Sequence, residues 1–257
     1  PGAPARAPAR GDLGRALAGR DLVPFQGVGA AAAVLAAIDA ELGPRRPRML
    51  FLCHDGGGGT LVHLRELLAV LGDRIAPVIA FGTPTGQVRL ALSAGENRRG
   101  VVFEVPRQHA DLLEVLRRAR LRRLDVVHLF GFEAHGERLI AELGLPYDVT
   151  LVDYHHLARH PHLLTGQGRF CGDAALAAGD PGVLRQERPA FLAGAQRIVA
   201  ISRDLAHRVG RIAPDLPLVC AAHWAPAPGD RRTILPPALH VEDEPLRVLL
   251  LGGITPI

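Results

Sequence analysis

The sequence has 257 residues, of which 48% are hydrophobic, 22% charged and 4% aromatic, with a formal net charge of +4. This balance supports a buried core of domain size and excludes wholesale disorder. No apolar run reaches the roughly 18 to 20 residues that span a bilayer, and residues 1–10 lack the apolar core of a signal peptide.

The excess positive charge comes from scattered arginines, without the basic stripe and interleaved aromatics of a nucleic-acid binder, so no nucleic-acid partner is expected. It fits weak attraction to phosphorylated ligands or peripheral contact with the anionic inner surface of a membrane. Cys53, Cys171 and Cys220 are odd in number and far apart, which gives neither a disulfide framework nor a CxxC metal pair and points to a cytoplasmic setting.

Residues 1–20, rich in Ala, Pro, Arg and Gly, read as a mobile leader, and the first 47 residues as a leader or linker carrying one helix. That helix spans 28–42 and stops at Gly43-Pro44, where glycine caps and proline cannot continue. A first residue that is proline marks the chain, on this reading, as a piece of something longer.

From Arg48 short apolar runs alternate with amphipathic segments, the pattern of repeated strand-helix units. Residues 49–53 (MLFLC) read as a buried strand, followed by a glycine-rich turn and a helix over 60–72 with Leu61, Leu64, Leu68 and Leu71 on one face. Strand 75–81 comes next, then 88–93 and 101–105, read as a hairpin or a pair of neighbouring strands near the sheet edge. Helix 108–120, strand 125–130, helix 132–143 and strand 148–152 continue the rhythm until a long loop over 153–180. Helix 181–193, strand 197–201, helix 202–212 and strand 216–221 follow. The expected fold is α/β and Rossmann-like over 48–222, a mostly parallel sheet with helices on both faces. A Pro-rich linker at 223–245 leads into 246–257, read as the first strand of a further domain or, alternatively, as an added strand on the same sheet.

Two segments carry candidate chemistry. His54-Asp-Gly-Gly-Gly-Gly-Thr60 lies between a strand and a helix, where glycine backbone approaches an anion or sugar closely and a helix amino terminus supplies N–H donors. It is neither G-x-G-x-x-G nor a P-loop. Thr150-Leu-Val-Asp-Tyr-His-His-Leu-Ala-Arg-His-Pro-His162 leaves a strand end rich in ionisable groups. Its histidines match no zinc spacing, and no metal is expected. Asp153 can accept a hydrogen bond from a sugar hydroxyl or cap a turn. His128 ends another strand and points to the same cleft or to a structural role, and Arg169 is a candidate phosphate contact in a loop. No Ser-His-Asp or Cys-His relay is evident, which disfavours a hydrolase.

Four segments resemble the amino-terminal half of family 4 glycosyltransferases, enzymes of the GT-B fold: residues 54–68 (HDGGGGTLVHLRELL), 125–128 (DVVH), 145–154 (LPYDVTLVDY) with Gly168-Arg-Phe-Cys-Gly172, and 195–204 (AQRIVAISRD). Residues 247–256 are similar to the strand that opens the donor domain of that family. The resemblance covers residues 48–257 in order and is nearest to members acting in polysaccharide or O-antigen assembly. It implies transfer, with retention and without a metal or other cofactor, of a sugar from a nucleotide-sugar donor to a glycan or lipid-linked acceptor. Gly57, Gly58 and Gly59 would lie beside the donor phosphates and acceptor, and Asp153 and Tyr154 would line the acceptor side. His155 would stand in for the histidine that the family carries at the place of Val152, with Asp153 and His155 as the catalytic pair. Without a donor domain the chain alone is expected to be inactive. The alternative reading is a non-catalytic Rossmann-like module that binds a glycan or partner. An epimerase or reductase is disfavoured, since G-x-G-x-x-G and Tyr-x-x-x-Lys are missing.

Overall fold

The structure, a computed structural model, describes residues 9–18, 21–26, 29–95 and 100–221. In chain order the elements are α1 (Arg10–Leu17), β1 (Leu22–Pro24), α2 (Ala30–Leu42), β2 (Arg48–His54), α3 (Gly58–Leu71), β3 (Ala76–Gly82), β4 (Gln87–Ala91), β5 (Gly100–Glu104) and α4 (His109–Arg118). They continue with β6 (Leu121–Val126), α5 (Glu133–Leu143), β7 (Tyr147–Leu151), α6 (Gly172–Ala177), α7 (Ala190–Gly194), β8 (Arg197–Ala200), α8 (Arg203–Ile212) and β9 (Leu218–Cys220).

Among the described residues nine strands form one sheet in the order β1-β5-β4-β3-β2-β6-β7-β8-β9. Only β4 runs against its neighbours, pairing antiparallel with β3 and β5. The expected α/β architecture is therefore present, with the neighbouring strands β4 and β5 paired antiparallel near one edge, where β1 is the outermost strand. β2 lies inside the sheet and is buried on both faces, which is why it reads as an unbroken apolar run. Leu50 and Leu52 join the core under α1, α2, α4, α5 and α8, while Phe51 and Cys53 join the opposite cluster with Leu64 of α3. Fully burying one such leucine or phenylalanine is worth roughly 1.5–3 kcal/mol. The helix α8 begins at Ser202, whose Oγ accepts the Leu205 N–H at 3.1 Å, and it buries Leu205 and Val209 one turn apart.

The amino-terminal expectation is corrected. Residues 10–17 form a packed helix, with Leu13, Ala16 and Leu17 buried, and β1 extends the sheet by pairing parallel with β5. The sheet thus begins before residue 48. Alanine-rich composition misled here, because alanine is also the best helix former, and three residues at i, i+3 and i+4 spacing suffice to dock a helix. The helix expected over 181–193 is only Ala190–Gly194, starting after Pro189. Proline inside a longer helix would remove a hydrogen bond and clash with the preceding turn, so residues 181–189 run irregularly, with Leu184 bridging to Ala158. β6 ends at Val126, short of the expected residue 130. The linker at 223–245 and the strand at 246–253 lie outside the described residues. Among the described residues no helix is long and apolar enough to cross a membrane.

Candidate functional site

Adjacent strands β2 and β6 send their chains in opposite directions. From β2 the chain passes through α3 to β3 on one side, and from β6 through α5 to β7 on the other. Open α/β sheets bind ligands in the crevice outside the carboxyl ends of such a pair. His54 ends β2 and His128 lies just beyond β6, so this reversal sets two imidazoles edge to face, ring centroids 4.7 Å apart. The chain leaving β7 adds Asp153, His155 and His156, with the His155 ring 4.5 Å and the His156 ring 5.7 Å from His128.

Hydrogen bonds fix the tautomers. The Phe130 N–H donates to His128 Nδ1 at 3.0 Å, which leaves the His128 proton on Nε2, donated to Asp153 Oδ2 at 3.2 Å. Asp153 Oδ1 accepts the His155 N–H at 2.8 Å and so sets the turn that presents the histidines. The Gly56 N–H donates to His54 Nδ1 at 2.9 Å. His128 is thereby held at both nitrogens, whereas the His155 ring has no hydrogen-bond partner among the described residues and faces a cavity. The loop after β6 is tied down by Gly131, at φ 81°, packed backbone to backbone on Gly82 so closely that no Cβ fits there.

Burial favours the neutral form of His54, His155 and His156. Burial, reinforced by the nearby His128, pushes both His54 and His155 down to about 4, against the pull of Asp153. His156 is lowered further, again chiefly by burial. Burial alone would raise the Asp153 carboxyl, but the hydrogen bonds it accepts from His128 and from the His155 N–H outweigh it and hold the group below the ordinary carboxylate value.

A cavity of about 400 Å³ opens beside the cluster, lined by Phe130, Glu137, His155, His156, Arg185 and Phe191 among others. Its size and mixture of aromatic wall with a few polar groups suit a ligand of one or two sugar rings. Burial raises the Cys53 thiol to about 12, so this cysteine is not a ready nucleophile. Among the described residues no group of His, Cys, Asp and Glu is arranged to hold a metal ion.

The structure brings His128, Asp153 and His155 together and separates the other expected site residues from them. Gly57 and Gly58 occupy positive φ, at 75° and 68°, and a Cβ on either, or on Gly59, would meet nothing. Backbone conformation, not space, requires glycine at the first two. They border a second concavity of about 360 Å³ that shares no lining residue with the first. Beneath it Arg89 pairs with Asp55 at 2.8 Å, both largely buried. Tyr154 packs between the main core and the cluster around Leu163 and Val183, and its hydroxyl is pushed up to about 12, first by burial and then by Asp204. Arg169 is exposed on a hairpin closed by Leu164 and Phe170 and lines neither concavity. Val152 is half-buried against the α3 side of the core.

Sequence reasoning missed His54, Arg185 and Glu137 as site residues. His54 carries a signal, being the imidazole that closes the otherwise apolar run 49–54. Arg185 and Glu137 carry none, because only the tertiary fold brings them to the same wall. The chain matches no protein-family model, no curated protein and no solved structure.

Proposed function

We propose that the chain is the acceptor-side domain of a sugar-transferring enzyme, taking a sugar from a nucleotide-sugar donor to a glycan or lipid-linked acceptor. The observation that carries this reading is the His54-His128-His155 cluster, ordered by Asp153, at the reversal of the strand order beside a cavity of sugar size. Neutral imidazoles give and take hydrogen bonds with hydroxyls without demanding a charged partner, and Phe130 offers an apolar face to a sugar ring. His155 presents its ring to the acceptor, and His128 acts through Asp153 as a positioning residue. The ordered resemblance to family 4 glycosyltransferases and the open glycine turn, which leaves room for phosphates of a donor, support the same reading.

The half-buried Val152, which brings no polar group to the cavity, favours a second reading, a glycan-binding module without chemistry. Calorimetric titration of the 257-residue chain with a panel of neutral oligosaccharides and of nucleotide sugars tests the common part. Oligosaccharide binding is expected, weakened roughly tenfold by His155→Ala through the loss of one well-placed hydrogen bond. Absence of glycan binding, or binding indifferent to His155, contradicts the proposal. Turnover of a nucleotide sugar with a bound glycan, assayed on a protein that joins this chain to a donor domain, separates enzyme from module.

A further inference from the structure

At the end of the sheet opposite the histidines, the loop before β2 and the turn between α4 and β6 enclose a concavity of about 340 Å³ whose wall carries Arg45, Arg46, Arg48, Arg120 and Arg122. Two of these are neutralised. Arg48 is buried and pairs with Asp39 at 2.6 Å while donating to the carbonyls of Ala119 and Gly43, and Arg46 reaches Asp73 at 3.2 Å. Arg45, Arg120 and Arg122 are exposed and have no partner among the described residues.

Converging guanidinium groups repel one another, and a chain without use for them is better served by spreading them apart. The backbone adds an independent sign. Arg120 follows the helix α4 at φ 57°, in the left-handed region that helix ends usually give to glycine, so an arginine is held there against its conformational preference. Strained backbone of this kind concentrates where a side chain is needed in place. Arginine is also the side chain whose planar fork matches phosphate oxygens.

We propose that this arginine concavity is a binding site for a phosphoryl group, separate from the histidine cavity. Arg45, Arg120 and Arg122 supply the charge, and the fully engaged Arg48 forms the rigid floor. The ligand is a phosphate or diphosphate, carried by a soluble molecule or by a lipid headgroup.

The test is thermal unfolding of the full chain with inorganic phosphate or pyrophosphate against sodium chloride of equal ionic strength. Sedimentation with phosphatidylglycerol vesicles, with phosphatidylcholine vesicles as control, forms the second arm. Pyrophosphate is expected to raise the midpoint beyond the chloride control, with affinity falling roughly tenfold in Arg122→Ala and in Arg120→Gly. Without ligand Arg120→Gly is expected to melt no lower than the parent, since glycine adopts the required conformation freely, so lost binding in that variant is not lost folding. Arginine-dependent vesicle binding without a pyrophosphate response assigns the site to a lipid headgroup. If neither probe binds, or if binding is undiminished in both variants, the proposal is overturned.

Discussion

Acidification from pH 6.5 toward pH 4 is expected to destabilise the fold steeply, by roughly 3 kcal/mol per pH unit, because the histidine cluster refuses protons that the unfolded chain accepts. His54 and His155 fall from 6.5 to about 4 on folding and His156 falls further, each chiefly through burial. A histidine whose folded value is depressed contributes no pH dependence above its unfolded value and an increasing penalty as pH drops below it. Across this window the unfolded state therefore binds three more protons than these groups do in the fold.

Asp125 works in the opposite direction. It is fully buried under a hydrogen bond from the Thr150 hydroxyl at 3.0 Å, and burial raises it from 3.8 to about 7. Between those values the folded carboxyl keeps a proton that the unfolded one has lost, which favours the fold at lower pH. Three protons less one leaves two, at about 1.4 kcal/mol per pH unit each. Solvent around the partly exposed His54 and His155 narrows the window more than it lowers the slope. Urea unfolding at several pH values measures this directly. Asp125→Asn is expected to steepen the dependence by about 1.4 kcal/mol per pH unit while stabilising the protein at pH 8, where the native carboxylate is buried and charged. A flat profile from pH 6.5 to 4 would show that the imidazoles are solvated.

Replacing Asp153 is the second large effect. Asp153→Ala removes the acceptor of the His128 Nε2–H and of the His155 N–H together. Each hydrogen bond to a charged acceptor is worth roughly 1.5–3 kcal/mol, and with the carboxylate partly exposed the expected loss is about 3 kcal/mol. Asp153→Asn does not rescue it. An amide can accept the His155 N–H with its oxygen, but it then turns its NH₂ toward the protonated His128 nitrogen. Relief requires moving the His128 proton to Nδ1, which orphans the Phe130 N–H that now donates there. The pair of variants is therefore expected to be destabilised to a similar extent, read by urea unfolding. Carbon-13 shifts of His128 should report the changed tautomer in the asparagine variant alone. Full stability in Asp153→Asn would remove Asp153 from the role of organiser.

Most of the fold is legible in the sequence because inner strands such as residues 48–54 and 76–82 are largely apolar runs with glycine or proline at or near their ends, and because α4 and α8 bury leucine and valine at helical spacing. The misreadings have local causes. Leu13 and Leu17 sit in a stretch whose composition serves linkers and helices equally, and Pro189 ends an apolar pattern that periodicity alone would extend. Of the site, Asp153, His128 and His155 are legible because ionisable residues at strand ends stand out against apolar neighbours. Their mutual arrangement is not, since it depends on β6 lying beside β2, a pairing between residues far apart in the chain. The same long-range pairing explains why the glycine turn, close to His54 in sequence, opens onto a different concavity, with Asp55 drawn toward Arg89 and away from the histidines.

The central claim is that a glycan occupies the crevice at His155, and the most direct measurement is histidine-selective carbon-13 spectroscopy of the chain during titration with a bound oligosaccharide. The account predicts that the His155 and His54 ring signals move in proportion to occupancy while His207, on the outside of α8, stays fixed. Unchanged His155 and His54 signals at saturation, with binding established by calorimetry, would place the ligand elsewhere and contradict the account.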